Sequence, residues 1–147
     1  LTLRADKPGV YRGQCAEYCG AQHARMALHV VAETPAAFDA WLARERQDAT
    51  APGDAFLERG RQAFIGQRCA ACHTIRGMPG ESRQGPDLTH VGSRLHIAAG
   101  TLRNHRGTLA GWIADPQSIK PGARMPAAND IDGETLRALA AYLEHLK

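Results

Sequence analysis

The chain has no run approaching the ~18 consecutive apolar residues that a membrane-crossing helix needs, so none of its segments is a candidate span. It has no initiating Met and no basic stretch followed by an apolar core, the pattern of a secretory signal. It opens on Leu1-Thr2-Leu3-Arg4, which reads like the interior of a strand and leads us to expect a processed or truncated product. Charge of one sign is scarce too. A net charge of +3 over 147 residues is too mild to argue for a nucleic-acid partner. No second Cys-x-x-Cys follows Cys69 and Cys72, which removes the four-cysteine zinc ribbon, and no His precedes Cys15.

With 44% hydrophobic and 22% charged residues, the composition is that of an ordinary globular chain, one domain or two small ones. The charge is uneven. Residues 1–50 hold six Lys/Arg and six Asp/Glu, whereas 59–106 hold eight Arg against Glu81 and Asp87. That basic half is either a steering surface for an acidic partner or a solvated face.

The cysteines fall in two tight pairs, Cys15/Cys19 and Cys69/Cys72. Two structural disulfides of an exported protein are one reading. The second pair opposes it, because it stands in Cys69-Ala70-Ala71-Cys72-His73. Cys-x-x-Cys-His is the attachment string of a c-type haem. Two thiols at this spacing each form a thioether to one edge of the porphyrin, and the next residue places an imidazole over the iron. A second axial ligand is often Met. Met78 follows His73 too closely to reach the opposite haem face. Met125 lies in Pro121-Gly122-Ala123-Arg124-Met125-Pro126, where flanking prolines are expected to hold the loop extended and the thioether inward. His90, His96 and His105 are rival ligands for a bis-His haem.

On these residues, 54–147 resemble a class I cytochrome c domain. Gly60-Arg61-Gln62-Ala63-Phe64 resembles the family's first helix. Gly85-Pro86-Asp87-Leu88 resembles the loop whose Pro carbonyl accepts from the proximal imidazole, here Pro86 and His73. Leu109 to Pro116 and the Pro-Gly-x-x-Met string resemble the surroundings of the sixth ligand, with Trp112 where Tyr is often found. The local signals agree independently. Asp54 is a suitable N-cap, and Leu136, Leu139, Tyr142, Leu143 and Leu146 recur at helical spacing from Glu134 onward. Gly60 inside a helix implies close approach of another helix, the one carrying Tyr142 being the candidate.

The first pair stands in Cys15-Ala16-Glu17-Tyr18-Cys19-Gly20-Ala21-Gln22-His23-Ala24-Arg25-Met26. Two thiolates, an imidazole and a thioether make a soft, copper-favouring set. A disulfide or a zinc site remains an alternative, although Met is a poor zinc ligand. The short apolar runs Leu1–Leu3 and Ala27–Ala32 read as strands, with His29 an ordinary strand residue. Thr34-Pro35 reads as an N-cap with Pro in the first turn of a short helix carrying Phe38, Trp41 and Leu42. Asp48 to Gly53 reads as a linker. About fifty residues are too few to close a β-sandwich, so this part either belongs to a larger domain or leans on the second.

The loop resembles the dinuclear copper (CuA) loop of cytochrome c oxidase subunit II. The resemblance implies that Cys15 and Cys19 bridge the coppers, that His23 and the Glu17 carbonyl serve one, and that Met26 serves the other. The family's further His, from a strand upstream, has no counterpart here. The whole chain therefore resembles the C-terminal part of a caa-type subunit II. The expected fold is mainly α: residues 1–32 a β remnant of a cupredoxin-like CuA domain, 33–53 a short helix and linker, 54–147 a cytochrome c domain. The resemblance implies covalent haem c and an incomplete CuA. It also implies electron relay from a donor, a cytochrome c or a quinol-oxidising complex, to the oxygen-reducing subunit I, on the periplasmic or outer face of a membrane, with anchoring only through upstream helices. Two other readings stay open: a soluble cytochrome c carrier with a metal-binding tail, and a CuA domain of a nitrogen-oxide reductase.

Overall fold

The computed structural model describes residues 2–147. It begins with an antiparallel hairpin, β1 (Gly9–Gln14) and β2 (Ala27–Ala32), in register from Gly9↔Ala32 to Gln14↔Ala27. The strand expected at Leu1–Leu3 is not there: Leu1 lies outside the described residues, and Thr2 and Leu3 are in no strand. The register explains why. Pairing ends at Gly9 opposite Ala32, just after Pro8, which has no N–H to donate, and residues 2–8 have no partner strand.

Helix α1 (Pro35–Glu45) starts where expected, with Thr34 Oγ1 accepting from the Ala37 N–H at 3.4 Å and Pro35 in the first turn. Its Phe38 and Trp41 rings touch at 5.4 Å, yet both remain exposed. Beyond the linker, α2 (Ala55–Gly66) is capped by Asp54 Oδ1, which accepts from the Leu57 N–H at 2.8 Å.

The core lies between α2 and α5 (Gly133–His145). Phe64, Leu139, Tyr142 and Leu146 are almost fully buried there, with Ile75 from the intervening loop. The crossing depends on Gly60. A Cβ at that position would stand 2.1 Å from the Ala138 carbonyl oxygen and 2.6 Å from Tyr142 Cβ. Only a glycine lets the two backbones approach this closely. The α5 boundary lies one residue earlier than expected, because Asp132 Oδ1 caps it by accepting from the Glu134 and Thr135 N–H groups.

A second two-stranded ribbon, β3 (His96–Ile97) and β4 (Leu102–Arg103), turns through Ala98, Ala99 and Gly100, with φ of 52°, 54° and 78°. Two of these left-handed residues carry a Cβ, at a cost of about 1–2 kcal/mol each. Helix α3 (Arg106–Ala114) begins at His105, whose Nδ1 accepts from the Gly107 and Thr108 N–H groups. The short α4 (Pro116–Ile119) follows. The segment leading to Met125 then turns instead of running extended: Gly122 has φ +86°, and the Ala123 N–H donates to the Lys120 carbonyl at 3.1 Å. The reason is local. The Pro121-Gly122 pair favours a turn whose second residue has positive φ, and Gln117 holds it by accepting from the Gly122 N–H at 3.0 Å.

The N-terminal part leans on the second. The Ala27 N–H donates to the Ala99 carbonyl at 2.9 Å, and Thr101 Oγ1 donates to the Arg25 carbonyl at 3.1 Å. The Arg25 guanidinium donates to the Ile119 carbonyl. These hydrogen bonds seat on the second part a fifty-residue piece in which no described residue is itself buried.

Candidate functional site

Cys69–Ala71 form one 3-10 turn at the end of α2, entered through Arg68 in the left-handed region, φ 58°. The Cys69 carbonyl accepts from the N–H groups of Cys72 and His73, at 3.1 and 3.0 Å, which fixes the two thiols and the imidazole on one tight turn. Both cysteines are free and half-buried. Burial pushes the Cys69 thiol above its ordinary value, so it is held as a neutral thiol. His73 Nδ1 stands 2.8 Å from the Pro86 carbonyl oxygen. As the carbonyl only accepts, Nδ1 must carry the proton, and Nε2 is left with its lone pair free for a metal.

The loop that supplies this carbonyl is built around the imidazole. The Gly85 N–H donates to the Cys72 carbonyl at 2.7 Å, and a Cβ on Gly85 would come within 2.6 Å of His73 Cε1. Thr74 and Leu88 pair across the same loop, with the Leu88 N–H donating to the Thr74 carbonyl at 2.8 Å. A free imidazole nitrogen, two neighbouring thiols and a close-fitting glycine suit a covalently held haem.

Met78 and Met125 differ sharply. The Met78 sulfur accepts from the Tyr142 hydroxyl at 3.1 Å, inside the core. Met125 packs half-buried against the core, and its carbonyl accepts from Gln117 Nε2 at 3.3 Å. The rival histidines are engaged elsewhere. His105 caps α3; His90 is buried between Arg76 and the Gln47 carbonyl; His96 stacks on His29.

The other candidate centre is the twelve-residue loop of the β1–β2 hairpin. Its neck is closed by the Cys15 N–H and Gln14 Nε2, both donating to the Met26 carbonyl at 3.0 Å. Within it a turn at Gly20, φ +107°, folds His23 back over the cysteines. The Cys15 and Cys19 sulfurs are 3.5 Å apart, the Cys15 thiol is 3.1 Å from the Glu17 carbonyl oxygen, and Cys19 Sγ is 3.9 Å from His23 Nδ1. The three side-chain donor atoms lie within 4.8 Å of one another. The hydrogen bond with Cys15 pushes the Cys19 thiol above its ordinary value. Met26 joins this group through its backbone at the neck. Two soft thiols, an imidazole and a carbonyl gathered at this range fit a copper pair, short of the upstream His.

Sequence reasoning did not find Arg76. Its guanidinium donates to the Glu45 and Gln47 carbonyls and pairs with Asp87 at 3.5 Å, tying the linker to the Pro86 loop. Nothing in the local string marks it. Gln22, whose side-chain amide is buried without a partner, also carried no signal.

The comparisons with known proteins follow the same division. Residues 57–147 match the family described as Cytochrome c, and residues 1–33 match that described as Cytochrome C oxidase subunit II, periplasmic domain. The chain belongs to the cytochrome c family. Along its whole length it is similar to cytochrome c oxidase subunit 2 of Alkalihalophilus pseudofirmus, with 40% identity over 100% of this chain and 42% of that protein. The subunit 2 of Bacillus sp. PS3 is 35% identical over 95% of this chain and 40% of its own length. Cytochrome c2 iso-2 of Magnetospirillum molischianum is 31% identical over 54% of this chain and 91% of that protein. The chain thus spans about two fifths of the subunit 2 relatives it matches. A cytochrome c domain implies covalent haem c, and the subunit II match implies CuA, for which these residues supply an incomplete ligand set.

Proposed function

We propose that this chain is the electron-transfer part of subunit II of a terminal oxidase, working with the catalytic subunit I on the outer face of a membrane. Haem c would supply a one-electron carrier between a donor and the CuA pair, which in turn feeds the oxygen-reducing subunit. Cys69 and Cys72 would hold the porphyrin by thioethers, with His73 and Met125 as axial ligands. The Pro86 carbonyl orients the His73 ring, and Trp112 packs beside the sixth ligand. Cys15, Cys19, His23, the Glu17 carbonyl and Met26 would hold copper. With these thiols and imidazoles engaged as thioethers and metal ligands, none is left as a nucleophile or base for bond-making, so the chain itself relays electrons.

One observation supports this reading above all. The loop with copper-type donors is hydrogen-bonded to the segment that leads to Met125, through Arg25 and the Ile119 carbonyl. A soluble carrier with a loose metal-binding tail has no need of such a seat. The test is rapid mixing of reduced donor with the complete oxidase. Haem bands should reduce first and the copper absorption should follow at a matching rate. A haem that stays inert while copper reduces would refute the relay. In the haem-loaded protein, Met125→Ala should abolish the red-edge charge-transfer band of Met–iron ligation. Its persistence would remove Met125 from the site.

A further inference from the structure

The seam between the two parts of the chain contains a second polar cluster, remote in chemistry from the copper and haem donors. In the hairpin, Arg12 and His29 are directly opposed cross-strand partners. In the β3–β4 ribbon, His96 and Arg103 are directly opposed as well. The two ribbons meet through their histidines, whose rings stack in parallel with centroids 4.0 Å apart and planes within 1°. Each ribbon therefore presents one Arg–His pair, and the four groups converge on one cleft of about 430 Å³. Val10 and Leu95 complete its lining, and no carboxylate faces it.

This convergence is electrostatically unbalanced. None of the ion pairs among the described residues uses Arg12 or Arg103. Arg12 has only a neutral partner, the Gln14 side-chain oxygen at 2.7 Å. His96 Nδ1 is buried with no hydrogen-bond partner at all. A buried donor or acceptor left unmatched is destabilising, and like charges brought together add to that cost. Folding retains all of this across an interface between two modules, where a single anion would satisfy every member.

We propose that this cleft is a binding site for a phosphate group, held by Arg12 and Arg103 and by His29 and His96. Two guanidinium forks and two imidazole N–H groups supply more donors than a carboxylate can use, whereas a tetrahedral oxyanion accepts from several directions. The apolar edge of Val10 and Leu95 accommodates the organic part of a phosphate ester or diester. Burial, followed by His29, Arg103 and Arg12, holds His96 below its ordinary value of 6.5. The charged groups facing that ring are therefore all basic, and a bound anion would reverse their effect. A bound anion would in turn favour the protonated form of His96. Since each module contributes two ligands, occupancy would also hold the hairpin on the cytochrome domain.

The experiment uses the complete haem- and copper-loaded protein, inorganic phosphate as the probe, and sodium chloride at matched ionic strength as the reference. Site-resolved carbethoxylation, read by mass spectrometry, should show phosphate protecting His29 and His96 while His145 reacts at an unchanged rate. Arg12→Gln and Arg103→Gln should each weaken that protection by about tenfold, the loss of a charge-assisted pair. Both side chains are solvent-exposed, and retained haem spectra will show that the variants fold. Equilibrium dialysis with radiolabelled phosphate should give one site per chain. Vesicles of phosphatidylglycerol, with phosphatidylcholine as control, separate the sources. Protection by the anionic vesicles assigns a lipid headgroup, and protection by free phosphate alone assigns a soluble ligand. Equal reactivity of His29 and His96 in phosphate, anionic vesicles and chloride would overturn the proposal, as would protection that survives both substitutions.

Discussion

Substituting Gly85 by Ala probes the geometry around His73 with the smallest possible change. The added Cβ would stand 2.6 Å from His73 Cε1, 2.7 Å from Nδ1 and 3.1 Å from the Cys72 carbonyl oxygen. Ordinary contact begins near 3.4 Å, so the ring must give way by about 0.8 Å. That displacement opens the 2.8 Å hydrogen bond to the Pro86 carbonyl. The lost bond is worth about 1 kcal/mol and the overpacking about 1–3 kcal/mol, so the haem-loaded protein should lose about 2–4 kcal/mol. For a chain of this size the thermal midpoint should fall by roughly 10 °C. The imidazole also loses the acceptor that makes it more basic, so the haem reduction potential should rise. Pro86→Ala is the control, because the acceptor is a backbone carbonyl and survives; it should cost about 1 kcal/mol or less, through the unfolded chain. Guanidinium unfolding and a redox titration of both variants decide the matter. A Gly85→Ala protein with wild-type stability and potential would refute the reasoning.

Gly60→Ala should destabilise by about 2 kcal/mol despite Ala's better helix propensity, since its Cβ meets the Ala138 carbonyl at 2.1 Å; Gly66→Ala, with nothing within 4 Å, should be neutral or gain up to about 1 kcal/mol, and denaturation midpoints will separate them. Arg61 and then Gln62 hold Glu58 down to about 2 from 4.5, so its contribution is present above pH 4.5 and is lost as pH falls toward 2; Glu58→Gln should flatten acid unfolding in that window, followed by circular dichroism. His96 is also held below its ordinary 6.5, so without anion the stability of the seam is intact above that pH and declines below it, which hydrogen exchange of the Ala27 N–H, the donor to the Ala99 carbonyl, will report. A polypeptide of these 147 residues should carry haem but form no intact copper pair, because no His precedes Cys15; two coppers per haem with a mixed-valence EPR signal would contradict the ligand count.

What could be read from the sequence was chemistry carried by adjacent residues. Cys69, Cys72 and His73 sit on one turn, and their spacing is itself the geometry of attachment. The Cys15–Met26 loop was legible for the same reason, as were the caps at Thr34 and Asp54, whereas the start of α5 was placed one residue late and its Asp132 cap was not read. Gly60 announced a helix crossing because a glycine mid-helix needs a cause. Features made by tertiary contact were not legible. The strand expected at Leu1–Leu3 is decided by where β2 runs out of partners, and no local pattern records that. The Met125 loop was expected extended from its prolines, whereas Gln117 and Gly122 fold it into a turn. His29 was read correctly as a strand residue, yet its stacking on His96 depends on two ribbons more than sixty residues apart in sequence.

The same contrast bears on how the two modules work together. Turning β3 into β4 through Ala98 and Ala99 in left-handed backbone costs about 1–2 kcal/mol for each alanine, and glycines there would remove that cost. The turn has a definite product. It presents the Ala99 carbonyl to the Ala27 N–H at the foot of the copper loop. It also presents Gly100 so closely that a Cβ there would stand 2.9 Å from Ala27 Cβ and from the Ala27 carbonyl oxygen. Arg25 reaches the Ile119 carbonyl from the same loop, and Thr101 returns a hydrogen bond to Arg25. A carrier that shuttles between partners gains nothing by strain that fixes another module to its surface. The proposed relay would gain, because its two donor sets would keep one spacing through every turnover, and strain held at such a contact is what that reading requires.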